Sequence, residues 1–262
     1  MTPFFVFLGL SGLFFLGGTI GWIIELFFRR FFSQKRWVNP GFLTGPMLPL
    51  YGFGLVGFYI FANFIPFHSL LWPTWASDLL AVLVAGVAMT LIEYLAGLIF
   101  IKGLKVTLWD YSKRPGNIQG IICPLFSFFW LVIGAFYIYL INPLFVVVYD
   151  FTVDNYGVVG FFLGLCYGLL FVDFGWSLGL LTKIRKAVRD SKLVVSWENI
   201  KVSIQDHYRK LQESHPWIFA FKTKREEWSA LMNEYLLGLK QKNALRLEEE
   251  RHKAELKKEK KR

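Results

Sequence analysis

The sequence predicts an all-α fold, a polytopic membrane helical bundle followed by a cytoplasmic helical tail. Of its 262 residues, 55% are hydrophobic and 18% are charged, whereas soluble domains carry about 25% charged residues. The charge is also uneven. Residues 1–181 hold eight Lys and Arg against seven Asp and Glu, and residues 182–262 hold 21 against 12. We therefore predict a transmembrane domain, residues 1–181, and a basic cytoplasmic tail, residues 182–262.

Five apolar stretches reach the ~20 residues that a membrane helix needs. They are residues 3–28, 45–65, 79–101, 118–141 and 156–181. The loops 29–44 and 102–117 and the segment after residue 181 carry Lys and Arg, whereas the loops 66–78 and 142–155 carry none. Because positively charged loops stay in the cytoplasm, we predict a multi-pass protein of the cell membrane with its N-terminus outside and its C-terminus inside.

The tail has its own helical pattern. Apolar residues at helical spacing predict one helix that could lie on the membrane surface or cover the cytoplasmic loops: Trp197, Ile200, Ile204, Tyr208 and Leu211. Thr223 and Glu226 form a capping-box pattern before a second apolar face: Trp228, Leu231, Tyr235 and Leu239. The net positive charge would draw the tail to anionic lipid headgroups, or to a cytoplasmic protein.

A spacing of 75 residues relates two Gly- and Pro-rich segments. Gly41, Gly45 and Pro49 recur as Gly116, Gly120 and Pro124. Each segment follows a predicted span with one carboxylate, Glu25 in the first and Glu93 in the second. Two helices in each unit give both units the same direction, so we predict a parallel internal repeat.

Three carboxylates lie within predicted spans: Glu25, Glu93 and Asp173. Ionisable groups are costly inside a bilayer, which makes them candidates for binding a proton, a cation or a basic substrate group. Glu25 lies four residues before Arg29 and could instead pair with it. For Glu93 and Asp173, a structural hydrogen bond to a neighbouring helix is the alternative.

The two Gly- and Pro-rich segments are the lead-in loops of the second and fourth spans. A helix N-terminus with free N–H groups attracts anions, and basic residues accompany both loops: Arg29, Arg30, Lys35, Arg36, Lys113 and Arg114. Broken helices in pairs are typical of transporter binding sites. The alternative is that glycine and proline only end and begin helices, and that the basic residues follow the positive-inside rule. Asp110 could pair with Lys113 or Arg114, or form a local bond to the backbone.

Several functional classes find no support in the sequence. Cys123 and Cys166 lie in apolar runs and offer no metal-ligand spacing. There is no phosphate-binding P-loop and no hydrolase or zinc-protease motif. We therefore expect no metal, no cofactor, no nucleic-acid partner and no enzymatic activity in this chain. If ATP drives its function, the ATPase is a separate subunit.

Several motifs occur together in order: Gly21-Trp22-x-x-Glu25, Gly41-Phe42-Leu43-x-Gly45-Pro46, Glu93-Tyr94 and Trp109-Asp110-Tyr111-Ser112-x-x-Pro115-x-Asn117. This part of the chain, roughly residues 13–130, resembles the ABC-transporter type IV (CmpB-like) membrane protein family. The resemblance implies a permease. It also implies that six positions are candidates for a functional role: Glu25, Asn39, Glu93, Trp109, Asp110 and Asn117.

The first hypothesis is thus a permease subunit with a cytoplasm-facing site built from the lead-in loops and the intramembrane carboxylates. The alternative is a non-transporting membrane anchor whose basic tail recruits a cytoplasmic partner. A lipid-headgroup enzyme that uses Asp110 is a third hypothesis, without a visible nucleophile–base pair. Five spans are few for a closed translocation path, so a homo-oligomer is a further expectation.

Overall fold

The computed structural model describes residues 2–66, 74–187 and 194–203, together with residues 206, 230–231, 233–238, 240–242, 244–245 and 248 of the tail. The helices are α1 (Pro3–Phe28), α2 (Pro49–Asn63), α3 (Thr74–Leu98), α4 (Pro124–Phe136), α5 (Asn142–Asp154) and α6 (Tyr156–Ala187). Two short strands are β1 (Val106–Thr107) and β2 (Val195–Ser196). Short π-helical segments extend three helices: Arg29–Ser33 after α1, Ile99–Leu104 after α3 and Tyr137–Ile141 after α4.

Proline marks the start of four helices. Pro3, Pro49, Pro124 and Pro143 lie in the first turns of α1, α2, α4 and α5. Proline fits this position because its missing N–H would have no partner there. The residues just before Pro49 and Pro124 are extended. The helical parts of the predicted spans 45–65 and 118–141 therefore begin at residues 49 and 124.

Four helical stretches are long and apolar enough to cross a membrane: Pro3–Ser33, Trp75–Leu104, Pro124–Asp154 and Tyr156–Lys186. α2 has 15 residues, which at ~1.5 Å per residue give about 22 Å. That is less than the ~30 Å of a bilayer core. The five-span count and the orientation stay predictions.

The segment 142–155, expected to be a loop, is the helix α5 up to Asp154. The π-helical segment Tyr137–Ile141 leads directly into this helix, and the backbone of Ile141 and Asn142 is helical. Pro143 begins a new helix because the residues after it bury Phe145, Tyr149 and Thr152.

The core of the bundle is formed by five parts of the chain. Its buried side chains come from α1, α2, α3, the π-helical segment after α4, and α5: Leu13, Leu55, Phe58, Tyr59, Ala85, Met89, Tyr137, Phe145 and Tyr149. By contrast, most large apolar side chains of α6 between residues 158 and 174 are exposed. A helix that is apolar all round and uncovered by protein is suited to a lipid environment.

The chain divides into two compact units, Met1–Ile99 with Leu108–Leu178, and Phe100–Thr107 with Gly179–Arg262. In the second unit, β1 and β2 pair in parallel, with Val106 opposite Val195. The Val195 N–H donates to the Lys105 carbonyl at 3.0 Å. The second unit thus joins the segment after α3 to the start of the tail.

The described part of the tail buries apolar residues against protein. Residues 197–203 are helical, and Trp197 and Ile200 are only 2% and 0% exposed. These two side chains are therefore not free to lie on a membrane surface. Leu231 and Leu236 of the second predicted helix are also buried. The predicted positions 204, 208, 211, 223, 226, 228 and 239 lie outside the described residues.

Candidate functional site

Glu25, near the C-terminal end of α1, has two partners. Its Oε1 accepts a hydrogen bond from Arg29 Nε at 3.2 Å, which makes an i, i+4 ion pair. Its Oε2 accepts one from the hydroxyl of Tyr51 on α2, also at 3.2 Å. The helices approach closely enough for this contact because Gly21 lies against the Tyr51 ring, where a Cβ atom would overlap it. Glu25 is thus paired with a cation, the alternative that its spacing from Arg29 suggested.

Glu93 on α3 is the most buried of the three carboxylates, with 3% of its surface exposed. Its Oε1 accepts a hydrogen bond from the Tyr111 hydroxyl at 3.1 Å. Its Oε2 accepts one from Trp130 Nε1, on α4, at 2.9 Å. Both donors are neutral, so Glu93 differs from Glu25 in the kind of partner that it has.

The two carboxylates are connected through aromatic rings. The rings of Tyr51 and Trp130 lie 6.2 Å apart between centroids, so each ring contacts the other while its polar atom holds a carboxylate. We call Glu25, Tyr51, Trp130, Glu93 and Tyr111 the carboxylate–aromatic cluster. The cluster joins α1 and α2 to α3, α4 and the loop between them.

Tyr111 brings the second lead-in loop into this cluster. Its ring stacks on Phe126 with centroids 4.3 Å apart, and its N–H donates to the Gly120 carbonyl at 2.8 Å. Burial, reinforced by the nearby Glu93, raises the pKa of the Tyr111 hydroxyl well above its usual range. Tyr111 therefore remains a neutral hydroxyl that can both donate and accept hydrogen bonds.

Asp173 on α6 binds the first lead-in loop. Its Oδ1 accepts from the Thr44 N–H at 3.1 Å and from the Thr44 hydroxyl. Its Oδ2 accepts a hydrogen bond from the Gly45 N–H at 2.9 Å. The Ser177 hydroxyl also donates to Oδ1, at 3.4 Å. Asp173 and Glu93 thus have separate sets of hydrogen-bond partners.

The two candidate asparagines organise the loops from within. Asn39 Nδ2 donates to the carbonyls of Leu43 and Thr44 at 3.1 and 2.9 Å, while its Oδ1 accepts from the indole N–H of Trp22. The two bonds from Nδ2 hold residues 39–44 of the first loop in a turn around the side chain of Asn39.

In the second loop, Asn117 Nδ2 donates to the carbonyls of Ser112 and Arg114 at 3.1 and 2.8 Å. Its Oδ1 accepts from the Gly120 N–H at 3.0 Å. Asn117 therefore uses both ends of its amide to hold its own loop, whereas Asn39 also connects its loop to Trp22 of α1.

Trp109 and Asp110 also hold the second loop. Trp109 Nε1 donates to the Ile121 carbonyl at 2.8 Å. Asp110 Oδ1 accepts from the Ser112 N–H at 2.8 Å, which is the local backbone bond considered as one of its two alternatives. Their side chains thus contribute to loop shape.

The glycine and proline positions explain how the loops turn. Gly41, Gly116 and Gly120 have φ values of +70°, +67° and +70°, a region that side chains with a Cβ atom rarely adopt. Gly45 has no such φ, but it donates its N–H to Asp173. Pro49 and Pro124 begin the helices that follow.

The basic residues near the first loop form local contacts. The Arg30 guanidinium lies 5.7 Å from the Trp37 ring and 5.9 Å from the Phe31 ring, and it donates to the Lys35 carbonyl at 2.7 Å. Lys35, Arg36, Lys113 and Arg114 are exposed. An anion could still reach these exposed cations, but the Arg30 guanidinium is already engaged.

Three members of the cluster, Tyr51, Tyr111 and Trp130, were not among the candidate site residues. Tyr51 and Tyr111 lie within the motifs of the two loops, so their position next to Glu25 and Glu93 could have been suspected. Trp130 gave no indication beyond its place inside a span. Among the residues that the structure describes, no group of three or more His, Cys, Asp and Glu side chains could hold a metal ion.

Comparison with known proteins gives one match. The sequence profile of the family described as Putative ABC-transporter type IV matches residues 12–178. This range exceeds the resemblance noted over residues 13–130 and ends at the last residue of the first compact unit. No curated protein and no solved structure matches the chain. With four helices suited to cross a bilayer and a match over more than half of its length, the chain belongs to this family of ABC-transporter-type membrane proteins.

Proposed function

We propose that this chain is the permease subunit of a transporter whose ATPase is a separate protein. The observation that carries the proposal is the carboxylate–aromatic cluster, in which the buried Glu93 is held by Tyr111 of a lead-in loop. Polar groups inside a membrane domain are costly and typically belong to a transport path. The contact of Tyr111 with Glu93 lets a loop movement change the surroundings of an intramembrane carboxylate.

The proposal includes the five-span topology, for which α2 has to cross the bilayer. Its 15 residues are short, but four non-helical lead-in residues, 45–48, precede the helix and add to its length. Their backbone is satisfied by protein: the Leu48 N–H donates to the Gly18 carbonyl at 3.0 Å, and Met47 and Leu48 are buried. Irregular backbone is tolerated at membrane depth when protein covers it, so residues 45–63 can form one broken span.

The parallel repeat belongs to the same proposal. Gly41 and Gly116 share a positive φ, and Pro49 and Pro124 begin their helices. Both carboxylates accept a hydrogen bond from a tyrosine hydroxyl: Glu25 from Tyr51 of α2, and Glu93 from Tyr111 of a loop. We infer that two related helix pairs meet at the Tyr51–Trp130 contact and form the site there.

The first experiment is a mild-detergent purification of the tagged full-length chain, with mass spectrometry of the proteins that accompany it. We expect a stoichiometric ATPase subunit. The Glu93→Gln variant is the matched comparison: it should retain the ATPase and membrane insertion but lose transport-dependent growth or uptake. Full function in that variant, with the ATPase bound, would falsify the role of Glu93.

The membrane anchor remains a second candidate because the tail begins in a structured unit. β2 pairs with β1, and Trp197 and Ile200 are buried. A purified homo-oligomer without an ATPase would favour this candidate. Truncation after residue 203, which keeps β2 and both buried side chains, then discriminates: complete loss of the phenotype indicates an anchor, and retained activity indicates a permease.

A further inference from the structure

The two carboxylates that follow the predicted repeat differ in one respect. Four residues after Glu25 is Arg29, which forms the ion pair. Four residues after Glu93 is Gly97, and Ile121 packs against this glycine so closely that a Cβ atom would overlap it. The second helix pair thus places a buried apolar side chain where the first places a cation. Within the described residues, Glu93 forms no ion pair.

Burial then disfavours the charged form of Glu93, and among the described residues no cation compensates for it. The two hydrogen bonds act in the opposite direction, since donors stabilise a carboxylate. The side chain is 3% exposed, and an ionised carboxylate without a cation is strongly disfavoured in such surroundings. Glu25, the other carboxylate of the cluster, pairs with Arg29 at 3.2 Å. The other titratable groups that face Glu93 are Tyr111 and, through its ring contact with Trp130, Tyr51.

The two hydrogen-bond partners of Glu93, Trp130 and Tyr111, indicate which carboxyl oxygen would carry a proton. An indole N–H can only donate, whereas a tyrosine hydroxyl can donate or accept. With Trp130 donating to Oε2 at 2.9 Å, Oε2 is the carbonyl oxygen of a neutral acid. Oε1 is then the hydroxyl oxygen. The Tyr111 hydroxyl donates to Oε1 at 3.1 Å in the structure, and it accepts from Oε1 when the acid is neutral, since a hydroxyl can do either.

We propose that Glu93 is a proton-binding site, whose Oε1 carries a proton in the folded protein and releases it when the second lead-in loop moves away. In the release step the O–H bond of Glu93 breaks and the proton passes to a water molecule on the cytoplasmic side. The carboxylate that remains later takes a proton from a hydronium ion, whose O–H bond breaks to leave water, before Tyr111 returns. The coupling of this proton to transport rests on the proposed permease function, but the proton site itself rests on the contacts of Glu93.

The test is infrared spectroscopy of the purified full-length chain in detergent or nanodiscs at neutral pH, which detects the C=O stretch of protonated carboxylic acids. We expect a carboxylic acid band that disappears in Glu93→Gln and persists in the control Glu25→Gln, since Glu25 is paired with Arg29. A spectrum of folded Glu93→Gln that superimposes on the native spectrum overturns the proposal.

Two further variants keep the test decisive if Glu93→Gln does not fold. Trp130→Phe removes the donor to Oε2, and Tyr111→Phe removes the partner of Oε1, while both retain Glu93. Each should shift the frequency of the band without abolishing it, and a band that neither variant moves does not come from Glu93. The measurement needs no substrate or ATPase, so its outcome is independent of whether the purification finds an ATPase subunit.

Discussion

Asp173 shows how one side chain can stabilise an irregular segment. Its two oxygens accept hydrogen bonds from consecutive backbone N–H groups, those of Thr44 and Gly45. Hydrogen bonds to a charged acceptor contribute more than neutral ones. The Asp173 carboxylate therefore attaches the first lead-in loop to α6.

We predict that Asp173→Asn lowers the free energy of unfolding by about 1–3 kcal/mol, because the new amide NH₂ faces a donor that then lacks an acceptor. The measurement is the midpoint of thermal unfolding in detergent. Asp154→Asn, at an exposed position on α5, is the control and should change stability by less than about 0.5 kcal/mol. Equal midpoints for the two variants would contradict the role assigned to Asp173.

At the residue scale, the sequence identified the acids but not their partners. Glu25, Glu93 and Asp173 stand out because each is a charged residue within an apolar run. Tyr111 and Trp130 do not, since aromatic residues near the ends and middle of spans also serve as interface anchors and core residues. Which oxygen meets which donor depends on tertiary contacts that no local spacing encodes.

α1 and α2 are the elements whose packing the cluster depends on most. Gly21 gives the Tyr51 ring room beside the backbone of α1, and the Tyr51 hydroxyl reaches Glu25 from there. A change in the distance between these helices would therefore directly alter the hydrogen bond from Tyr51 to Glu25.

We expect Gly21→Ala to destabilise the protein by roughly 1–3 kcal/mol, because the added methyl group overlaps the Tyr51 ring. Gly164→Ala on α6 is the matched control, since nothing lies within 4 Å of its position. Alanine also favours helix formation by up to about 1 kcal/mol over glycine. Thermal unfolding of both variants in the same detergent measures the difference, and a stable Gly21→Ala variant would show that α2 can move without cost.

At the element scale, apolar length predicted where helices occur, and proline predicted where several of them begin. The prediction failed for residues 142–155, which were expected to form a loop between two apolar stretches. Proline in a first helical turn and proline in a loop have the same local sequence, and here the burial of Phe145 and Tyr149 decides for a helix. The predicted span 45–65 is longer than α2 for a related reason: residues 45–48 are largely apolar but not helical.

For the whole molecule, the five-span topology can be tested with two cysteines. In a background of Cys123→Ala and Cys166→Ala, we expect Ser69→Cys to react with an impermeant maleimide on intact cells. Ser33→Cys should react only after permeabilisation, because in the proposed topology α2 and its lead-in residues cross the bilayer between the two sites. Labelling of both from the same side would contradict a crossing by α2.

Charge distribution predicted the division between an apolar body and a basic tail. It could not predict that Phe100–Thr107 belongs with the tail in one compact unit, because a parallel strand pair of two residues leaves no periodicity in the sequence. The pairing joins Val106 to Val195, and burial of both side chains is the physical reason that it forms.

The same strand pair constrains how the protein is made. Val106 and Val195 are 89 positions apart in the sequence, and a ribosome adds ~5–20 residues per second. The segment after α3 thus waits several seconds for its partner, while α4, α5 and α6 are synthesised and enter the membrane. Biogenesis of the second unit is complete only after the last helix has been delivered, so a stalled or shortened nascent chain would leave β1 without its partner.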